Sequence, residues 1–167
     1  MKLAICSGYF NPMHIGHLDY LQSAKDLAEK LFVIVNNDYQ VSIKGSTPFM
    51  SEVDRVRIIS TLECVDKVVL SKDLDDTVLK TLKSILIQHQ ACGRNSFIFC
   101  NGGDRGSENT AEEYFCDNNN YYLTSVYNVG GNKKESSSTL INNAAKNNIR
   151  LNDEFKKFDK TLKRYDL

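Results

Sequence analysis

One stretch limits most strongly what this chain can fold into: Gly8-Tyr9-Phe10-Asn11-Pro12-Met13-His14-Ile15-Gly16-His17. It follows an apolar run at residues 3–6 that is typical of a first strand, and a helical pattern begins near Ile15. A strand, a glycine-bearing turn and a helix N-terminus form a phosphate site, because backbone N–H groups and the helix dipole both favour an anion there. His14 and His17 lie three residues apart in the first helical turn, so both rings can reach the same anion. The alternative interpretation is a pair of surface histidines that only cap the helix.

Strand-like and helix-like segments alternate along the chain. Residues 15–30, 51–62 and 78–86 carry apolar side chains at helical spacing, whereas residues 31–35, 65–70, 97–100 and 121–129 are strand-like. This alternation predicts an α/β, Rossmann-like three-layer α/β/α fold with a five-stranded, mostly parallel sheet. Ligands of such sheets bind at the carboxyl ends of the strands. We therefore expect four polar segments that follow strands to converge on one cleft: residues 7–17, 36–47, 101–107 and 130–139.

The C-terminal part of the chain is predicted to be helical. Residues 1–147 are expected to form one domain, and residues 148–167 a C-terminal helical extension. Apolar residues recur in this tail at spacings of four and three, which predicts an amphipathic helix. The helix packs either on its own domain or at a dimer contact, and a homodimer is expected.

Composition narrows the class of protein. Lysine plus arginine and aspartate plus glutamate number 21 each, so no basic surface for nucleic acid is expected. No apolar run is long enough to cross a bilayer, and the first residues show no leader pattern. The five cysteines are scattered without a C-x-x-C pair, so they are expected to be reduced thiols and no metal site in the protein is predicted. A cytoplasmic protein with neither nucleic acid nor membrane among its partners is the prediction.

Two other segments offer candidate phosphate contacts. Lys44 lies beside Gly45 in the segment after the second strand, where its ammonium can act as a point charge, although a loop lysine is usually solvated. Ser137, Ser138 and Thr139 stand at a helix start behind a Gly-Gly loop and two lysines, and their hydroxyls and N–H groups can hold a second phosphate. At the start of the second helix, either Arg55 or Arg57 is expected to face the cleft.

The paired motifs G-Y-F-N-P-M-H-I-G-H and E-S-S-S-T-L-I resemble those of the H-x-G-H nucleotidyltransferase superfamily, over about residues 3–145. The cytidylyltransferase-like branch, which includes glycerol-3-phosphate cytidylyltransferase and the nucleotidyltransferase domain of the bifunctional heptose enzyme, is the most similar. Shared pairs are Ala24-Lys25, Lys44-Gly45 and Asp54-Arg55, with V-D-x-V at 65–68. Two departures stand out. Asn11 replaces the usual Asp, which makes F-N-P closer to the adenylyltransferases of NAD synthesis, and residues 132–135 differ from the lead-in of the glycerol-phosphate enzyme.

The resemblance implies a site and a mechanism. His14, His17 and Lys44 are the implied catalytic residues, and the implied nucleotide-binding residues are Gly8, Tyr9, Phe10, Asn11, Gly16, Arg55, Asp104, Ser137, Ser138 and Thr139. A phosphate monoester oxygen attacks the α-phosphorus of a nucleoside triphosphate, and pyrophosphate leaves. Mg²⁺ is the implied cofactor and comes with the triphosphate, with few protein ligands because it keeps its waters.

The resemblance therefore implies an enzyme that transfers CMP from CTP to a small phosphomonoester, such as glycerol 3-phosphate or a sugar phosphate. The alternative is an adenylyltransferase that uses ATP with nicotinate mononucleotide, phosphopantetheine or heptose 1-phosphate. Class I aminoacyl-tRNA synthetases share the letters H-I-G-H, but this chain has no K-M-S-K-S loop. A nucleotide-binding protein without turnover would have little use for both histidines, Lys44 and the serine run together.

Overall fold

The computed structural model describes residues 1–91, 95–102, 110–118, 120–131 and 136–162, with side chains through residue 150, and strands and helices alternate along them. The strands are β1 (Lys2–Gly8), β2 (Lys30–Val35), β3 (Lys67–Leu70), β4 (Ser96–Gly102) and β5 (Leu123–Val129). The helices are α1 (Ile15–Asp26), α2 (Asp38–Ile43), α3 (Glu52–Ser60), α4 (Leu79–Gln90), α5 (Ala111–Asp117) and α6 (Ser137–Leu162).

All five strands form one parallel sheet in the order β3-β2-β1-β4-β5. β1 is central, and at its register Cys6 lies opposite Val33 of β2 on one side and Cys100 of β4 on the other. The chain runs outward to β3 on one side of β1 and returns to β4 on the other. The strand order therefore reverses between β1 and β4, which is where a ligand crevice forms in sheets of this kind. The predicted α/β Rossmann-like fold is confirmed.

Successive side chains of the inner strands point to opposite faces of the sheet, and each face is covered by helices. One buried layer joins Ala4 and Cys6 of β1 to Tyr20, Leu21 and Ala24 of α1 and Ile59 of α3. The other joins Leu3 and Ile5 of β1 to Leu82, Ile85 and Leu86 of α4 and Cys116 of α5. Because the inner strands are buried on both faces, they are continuously apolar instead of alternating, as the sequence indicated.

Helix α2 is not predicted by the sequence pattern, because residues 36–47 are mostly polar and are typical of a loop. The helix is six residues long and has only one buried aliphatic residue, Val41, so it shows no apolar periodicity. It is instead fixed by its caps: Asn37 Oδ1 accepts from Gln40 N at 2.8 Å, and Gln40 Oε1 accepts from Asn37 N at 3.2 Å. This reciprocal pair is a capping box, a signal that was present in the sequence.

The C-terminal region is one helix rather than two. α6 runs from Ser137 to Leu162 without a break at residue 148, and residues 1–134 and 135–167 form two compact units. The division of the chain after residue 147 stays a prediction. Within the part of the chain that the structure describes, no helix combines the length and the apolar character that a membrane crossing requires.

A buried carboxylate shapes the chain after β3. Asp73 is fully buried, and its oxygens accept hydrogen bonds from Lys80 N at 2.7 Å, Thr81 N at 3.1 Å and the Thr81 hydroxyl at 2.6 Å. These groups lie in the first turn of α4, so a negative charge sits at the positive end of the helix dipole. The contact ties the carboxyl end of β3 to the helix that covers the second face.

An ionic cluster lies at the opposite, amino edge of the sheet. Asp66 accepts from Lys25 Nζ at 2.5 Å, Lys30 Nζ at 2.6 Å and Leu31 N at 2.8 Å. Burial raises the pKa of Asp66, but the hydrogen bonds from Lys25, Lys30 and Leu31 N outweigh it and lower this pKa to about 2. The ionised form is therefore stabilised by folding.

We expect Asp66→Asn to lower the free energy of unfolding by ~1–2 kcal/mol at pH 7, a range that allows for solvent screening of the pair. Because the pKa of the folded form lies below its ordinary value of 3.8, this contribution is complete above pH ~5 and is lost as the pH falls towards 2. Urea titrations of wild type and variant across this window measure it. Asp76→Asn, at an exposed aspartate, is the control, and a difference that stays constant down to pH 2 would contradict the prediction.

Candidate active site

The chain segments that follow β1, β2 and β3 are joined by hydrogen bonds at the carboxyl edge of the sheet. Asn36 N donates to Gly8 O at 3.0 Å, and Asn37 Nδ2 donates to Ser71 O at 3.1 Å and Asp73 O at 2.9 Å. Residues 7–17 and 36–47 therefore meet at this edge, as predicted, and their part in a common cleft stays a prediction. Residues 103–107 and 132–135 of the other two segments lie outside the described residues.

Phe10 turns the chain sharply as it leaves β1. Its φ is 50°, in the left-handed region, and its ring is buried and folds back over Gly8. A Cβ on Gly8 would lie 2.9 Å from two carbons of that ring, closer than real contacts allow. Glycine at position 8 is therefore required by the packing of Phe10. The turn at Phe10 sets the direction of the histidine-bearing segment, residues 8–17.

His14 and His17 stack on one another at the N-terminus of α1. Their ring centroids are 3.8 Å apart with an interplanar angle of 23°, and the edge of Phe10 meets His17 with a centroid distance of 4.9 Å. His14 is the N-cap residue, Gly16 is the second residue of the helix, and His14 N donates to His17 Nδ1 at 3.3 Å. Because Nδ1 of His17 accepts, its neutral ring carries the proton on Nε2 and can donate from that atom.

The electrostatics of this helix start suit an anion. The first turn of α1, all of which the structure describes, contains no acidic residue. The N–H groups of a helix start and the positive end of the helix dipole are thus combined with two imidazole rings. Among the described residues, no three His, Cys, Asp or Glu side chains are gathered closely enough to hold a metal ion.

Asn11 is buried and bonded to the segment that precedes α3. Its Oδ1 accepts from Phe49 N at 2.6 Å and Met50 N at 3.3 Å, while Nδ2 donates to Thr47 O at 3.0 Å. The position therefore needs both an acceptor and a donor, which an amide supplies and an ionised carboxylate does not. Contacts within the protein explain this departure from the usual Asp without reference to the nucleobase.

Arg55 is buried as well, and its guanidinium is engaged by the protein. Nη1 donates to Tyr9 O at 2.6 Å and Asn36 O at 2.7 Å, Nε donates to Met50 O at 3.3 Å, and Nη2 pairs with Asp38 Oδ1 at 2.6 Å. The side chain thus links the segments after β1 and β2 to the start of α3. Arg57 is exposed. This geometry makes Arg55 a positioning residue, and contact between Arg55 and a nucleotide stays a prediction.

Lys44 lies beside Tyr9, the residue that directly follows β1 and stands five residues before His14. It is the C-cap residue of α2, and its Nζ sits 4.3 Å from the centroid of the Tyr9 ring. The structure therefore brings Gly8, Tyr9, Phe10, Asn11, His14, Gly16, His17, Lys44 and Arg55 into one neighbourhood at the carboxyl edge of the sheet.

The predicted serine run does form a helix start. Ser136 Oγ accepts from Thr139 N at 3.1 Å, so Ser137, Ser138 and Thr139 make up the first turn of α6. These residues belong to the unit that begins at residue 135, and their part in the site stays a prediction. Asp104, with Lys133 and Lys134, lies outside the described residues.

The cysteine beneath the site is not a reactive group. Cys6 is fully buried, and burial raises the pKa of its thiol well above the ordinary value, reinforced by neighbouring Cys100. Because the thiolate is the nucleophilic form, covalent catalysis by Cys6 is disfavoured.

We expect Asn11→Asp to lower the free energy of unfolding by ~1–3 kcal/mol at pH 7, because the carboxylate cannot donate to Thr47 O and repels it. Below pH ~4 the introduced carboxyl group is protonated and can donate a hydrogen bond again, so the difference in free energy of unfolding from wild type should become smaller. Urea unfolding measures both effects, with Asn128→Asp at an exposed position as the control. If the Asn11→Asp variant were as stable as wild type at pH 7, the donor to Thr47 would be dispensable.

Comparison with known proteins agrees with this architecture. Residues 5–143 match the family described as cytidylyltransferase-like. A bifunctional protein HldE from Citrifermentans bemidjiense is 37% identical over 86 residues, which is 50% of this chain and 17% of that protein. An FAD synthase from Thermoplasma acidophilum is 30% identical over 86 residues, 52% of this chain and 59% of that enzyme. The matched part is thus less than two thirds of either relative.

A solved structure gives the same fold. The lipopolysaccharide core biosynthesis protein from Thermoplasma volcanium superposes with a TM-score of 0.63 at 24% identity, over 76% of this chain and 95% of that one. The strand order, the stacked histidines at the start of α1 and the match over residues 5–143 lead to one conclusion: the chain belongs to the cytidylyltransferase-like family.

Proposed function

We propose that the protein transfers CMP from CTP to a small phosphomonoester, such as glycerol 3-phosphate or a sugar phosphate, and releases pyrophosphate. The observation that carries this proposal is the stacked pair His14 and His17 at the N-terminus of α1, with Nε2 of His17 as the donor. The description of the matching family supports cytidine as the nucleoside.

In the proposed reaction, an oxygen of the acceptor phosphate forms a bond to the α-phosphorus. The bond from that phosphorus to the oxygen bridging to the β-phosphate breaks, and pyrophosphate leaves with the bonding electron pair. The acceptor phosphate is already ionised at neutral pH, so no protein base has to remove a proton. The protein's contribution is to align the reactants and to stabilise negative charge on the α- and β-phosphates.

Each part of the site has a role in this scheme. His17 donates from Nε2 to an α-phosphate oxygen, and His14 and the first N–H groups of α1 add donors beside it. Lys44 approaches from the Tyr9 side and neutralises phosphate charge. Ser137, Ser138 and Thr139 are proposed to hold the β- and γ-phosphates.

Magnesium is proposed to arrive with the triphosphate. No metal-binding cluster is present among the described residues, and the start of α1 carries two imidazole rings and no acidic residue. This fits an ion bound to phosphate oxygens and water rather than to a protein cage. When bound, it would offset the charge of the phosphates.

Adenylyl transfer from ATP, with nicotinate mononucleotide, phosphopantetheine or heptose 1-phosphate as the acceptor, is the second candidate. The observation in its favour is the similarity to an FAD synthase, an enzyme whose named product contains an adenylyl group. Asn11 no longer favours ATP over CTP, because its amide is bonded to Thr47, Phe49 and Met50.

A pyrophosphate-release assay distinguishes the two candidates. CTP, ATP, UTP and GTP are each tested with Mg²⁺ against glycerol 3-phosphate, sugar phosphates, nicotinate mononucleotide and phosphopantetheine. Turnover restricted to CTP supports the first candidate, whereas turnover with ATP and none with CTP would replace it by the second.

We expect His17→Ala to lower kcat on the order of hundredfold, because the variant loses a donor to charge that develops in the transition state. The chain has three histidines, and His89→Ala is the matched control because His89 packs against Phe32 at the far end of α4. Initial rates at saturating substrate and thermal unfolding are measured for both variants. An unchanged kcat in His17→Ala, with the fold intact, would remove the histidine from the mechanism.

A further inference from the structure

Tyr9 and Lys44 make a direct contact that the proposed reaction does not by itself require. Lys44 Nζ stands 4.3 Å from the centroid of the Tyr9 ring, well inside the ~6 Å range at which an aromatic face attracts a cation. Tyr9 is half-buried, whereas Lys44 is exposed. An exposed lysine without such a partner would distribute its ammonium over many rotamers.

The backbone beneath the tyrosine is fixed. Tyr9 O accepts from the buried Arg55 guanidinium at 2.6 Å, and Gly8 O, one residue earlier, accepts from Asn36 N at 3.0 Å. Phe10, one residue later, is buried in the left-handed conformation. The Tyr9 ring is thus attached to a segment with little freedom to move.

The backbone of Lys44 is fixed by a different device. Ser46 N donates to Val41 O at 3.2 Å and Gly45 N donates to Ser42 O at 2.9 Å, the two bonds of a Schellman motif at the end of α2. Gly45 occupies the left-handed position of this motif with φ 76°. The remaining freedom at position 44 is that of its side chain, and the Tyr9 ring meets the end of that side chain.

We propose that Tyr9 is a positioning residue whose ring holds the Lys44 ammonium beside the histidine-bearing segment, ready to bind the polyphosphate of the nucleotide. The proposal rests on the proposed function in assigning Lys44 to phosphate. An ammonium group can face the ring and still direct N–H donors away from it. The ring therefore restricts the cation without consuming its hydrogen-bonding capacity.

The contact itself is tested by chemical labelling, which needs no turnover. Lysines of the whole protein are acetylated with an N-hydroxysuccinimide ester, and the rate at each site is followed by mass spectrometry. Tyr9→Leu should increase the rate at Lys44 about 2- to 5-fold because the ring no longer covers the nitrogen, whereas Tyr9→Phe, which keeps a ring, should not. Lys83 lies 5.1 Å from the Phe115 ring and is the internal control, because its own aromatic contact is retained in every variant.

Phosphate binding is tested with inorganic triphosphate as the probe. Triphosphate should protect Lys44 from acetylation in wild type and Tyr9→Phe, and about 2- to 5-fold more of it should be needed in Tyr9→Leu. With a productive substrate pair, kcat/KM should be lower by the same factor in Tyr9→Leu than in Tyr9→Phe, which keeps the ring. In a Lys44→Ala background, Tyr9→Leu should have no further effect, because the residue through which it acts is gone.

The outcomes separate this proposal from the function on which it rests. Equal Lys44 labelling in wild type and Tyr9→Leu, or an undiminished Tyr9→Leu effect in the Lys44→Ala background, would overturn the positioning role. Absence of turnover with every nucleotide and acceptor would overturn the proposed function, while labelling and triphosphate protection would still decide the role of Tyr9. If Tyr9→Leu does not fold, Tyr9→Met removes the ring and keeps the side-chain bulk.

Discussion

The buried guanidinium of Arg55 is the interaction on which the carboxyl edge of the sheet depends. Its hydrogen bonds reach Tyr9 O, Met50 O and Asn36 O and the carboxylate of Asp38. These acceptors come from three separate chain segments, and without the arginine three carbonyl groups would lose a donor in or near the protein interior. Removing one partner of such a network costs more than the net value of its bonds, because the remaining groups stay desolvated. The charge of Arg55 is thus used for architecture, and the charge of Lys44 remains at the surface.

This arrangement explains how a short loop can hold two imidazole rings face to face. Arg55 fixes the backbone at Tyr9, and the left-handed turn at Phe10 buries a ring over Gly8. The side chain of the next residue, Asn11, then bonds to the segment before α3. Four consecutive residues are therefore constrained before the chain reaches His14. A rigid approach of this kind matters for phosphoryl chemistry, where catalysis is mainly alignment and electrostatics.

The sequence predicted the elements that have strong periodic signals and missed those fixed by single polar contacts. β2 and β4 are continuously apolar, and α4 has apolar residues at helical spacing, because all three are buried in or against the sheet. The sequence pattern alone therefore predicts them. α2 depends on a capping box between Asn37 and Gln40, and its polar sequence resembles a loop. Asn11 and Arg55 were assigned to the nucleotide from the resemblance, yet Asn11 bonds to a carbonyl 36 residues away and Arg55 to one 46 residues away. Such pairings depend on tertiary structure, which local patterns do not encode.

Residues at the amino edge of the sheet contribute to stability alone, whereas residues at the carboxyl edge contribute to both stability and the candidate site. At the amino edge, Asp66 gathers Lys25 and Lys30 into an ionic cluster distant from the histidines along the strands, so its loss should affect folding alone. At the carboxyl edge, Arg55 bonds to the backbone of Tyr9, and the Asp73 carbonyl accepts from Asn37, the N-cap of the helix that ends at Lys44. A substitution there changes the fold and the site together, because one set of hydrogen bonds serves both. Lys44 is exposed at this edge, whereas His17 accepts from His14 N and packs against the buried ring of Phe10. Chemistry is therefore measured most directly at Lys44, and at His17 it has to be separated from stability by measuring unfolding beside the rate.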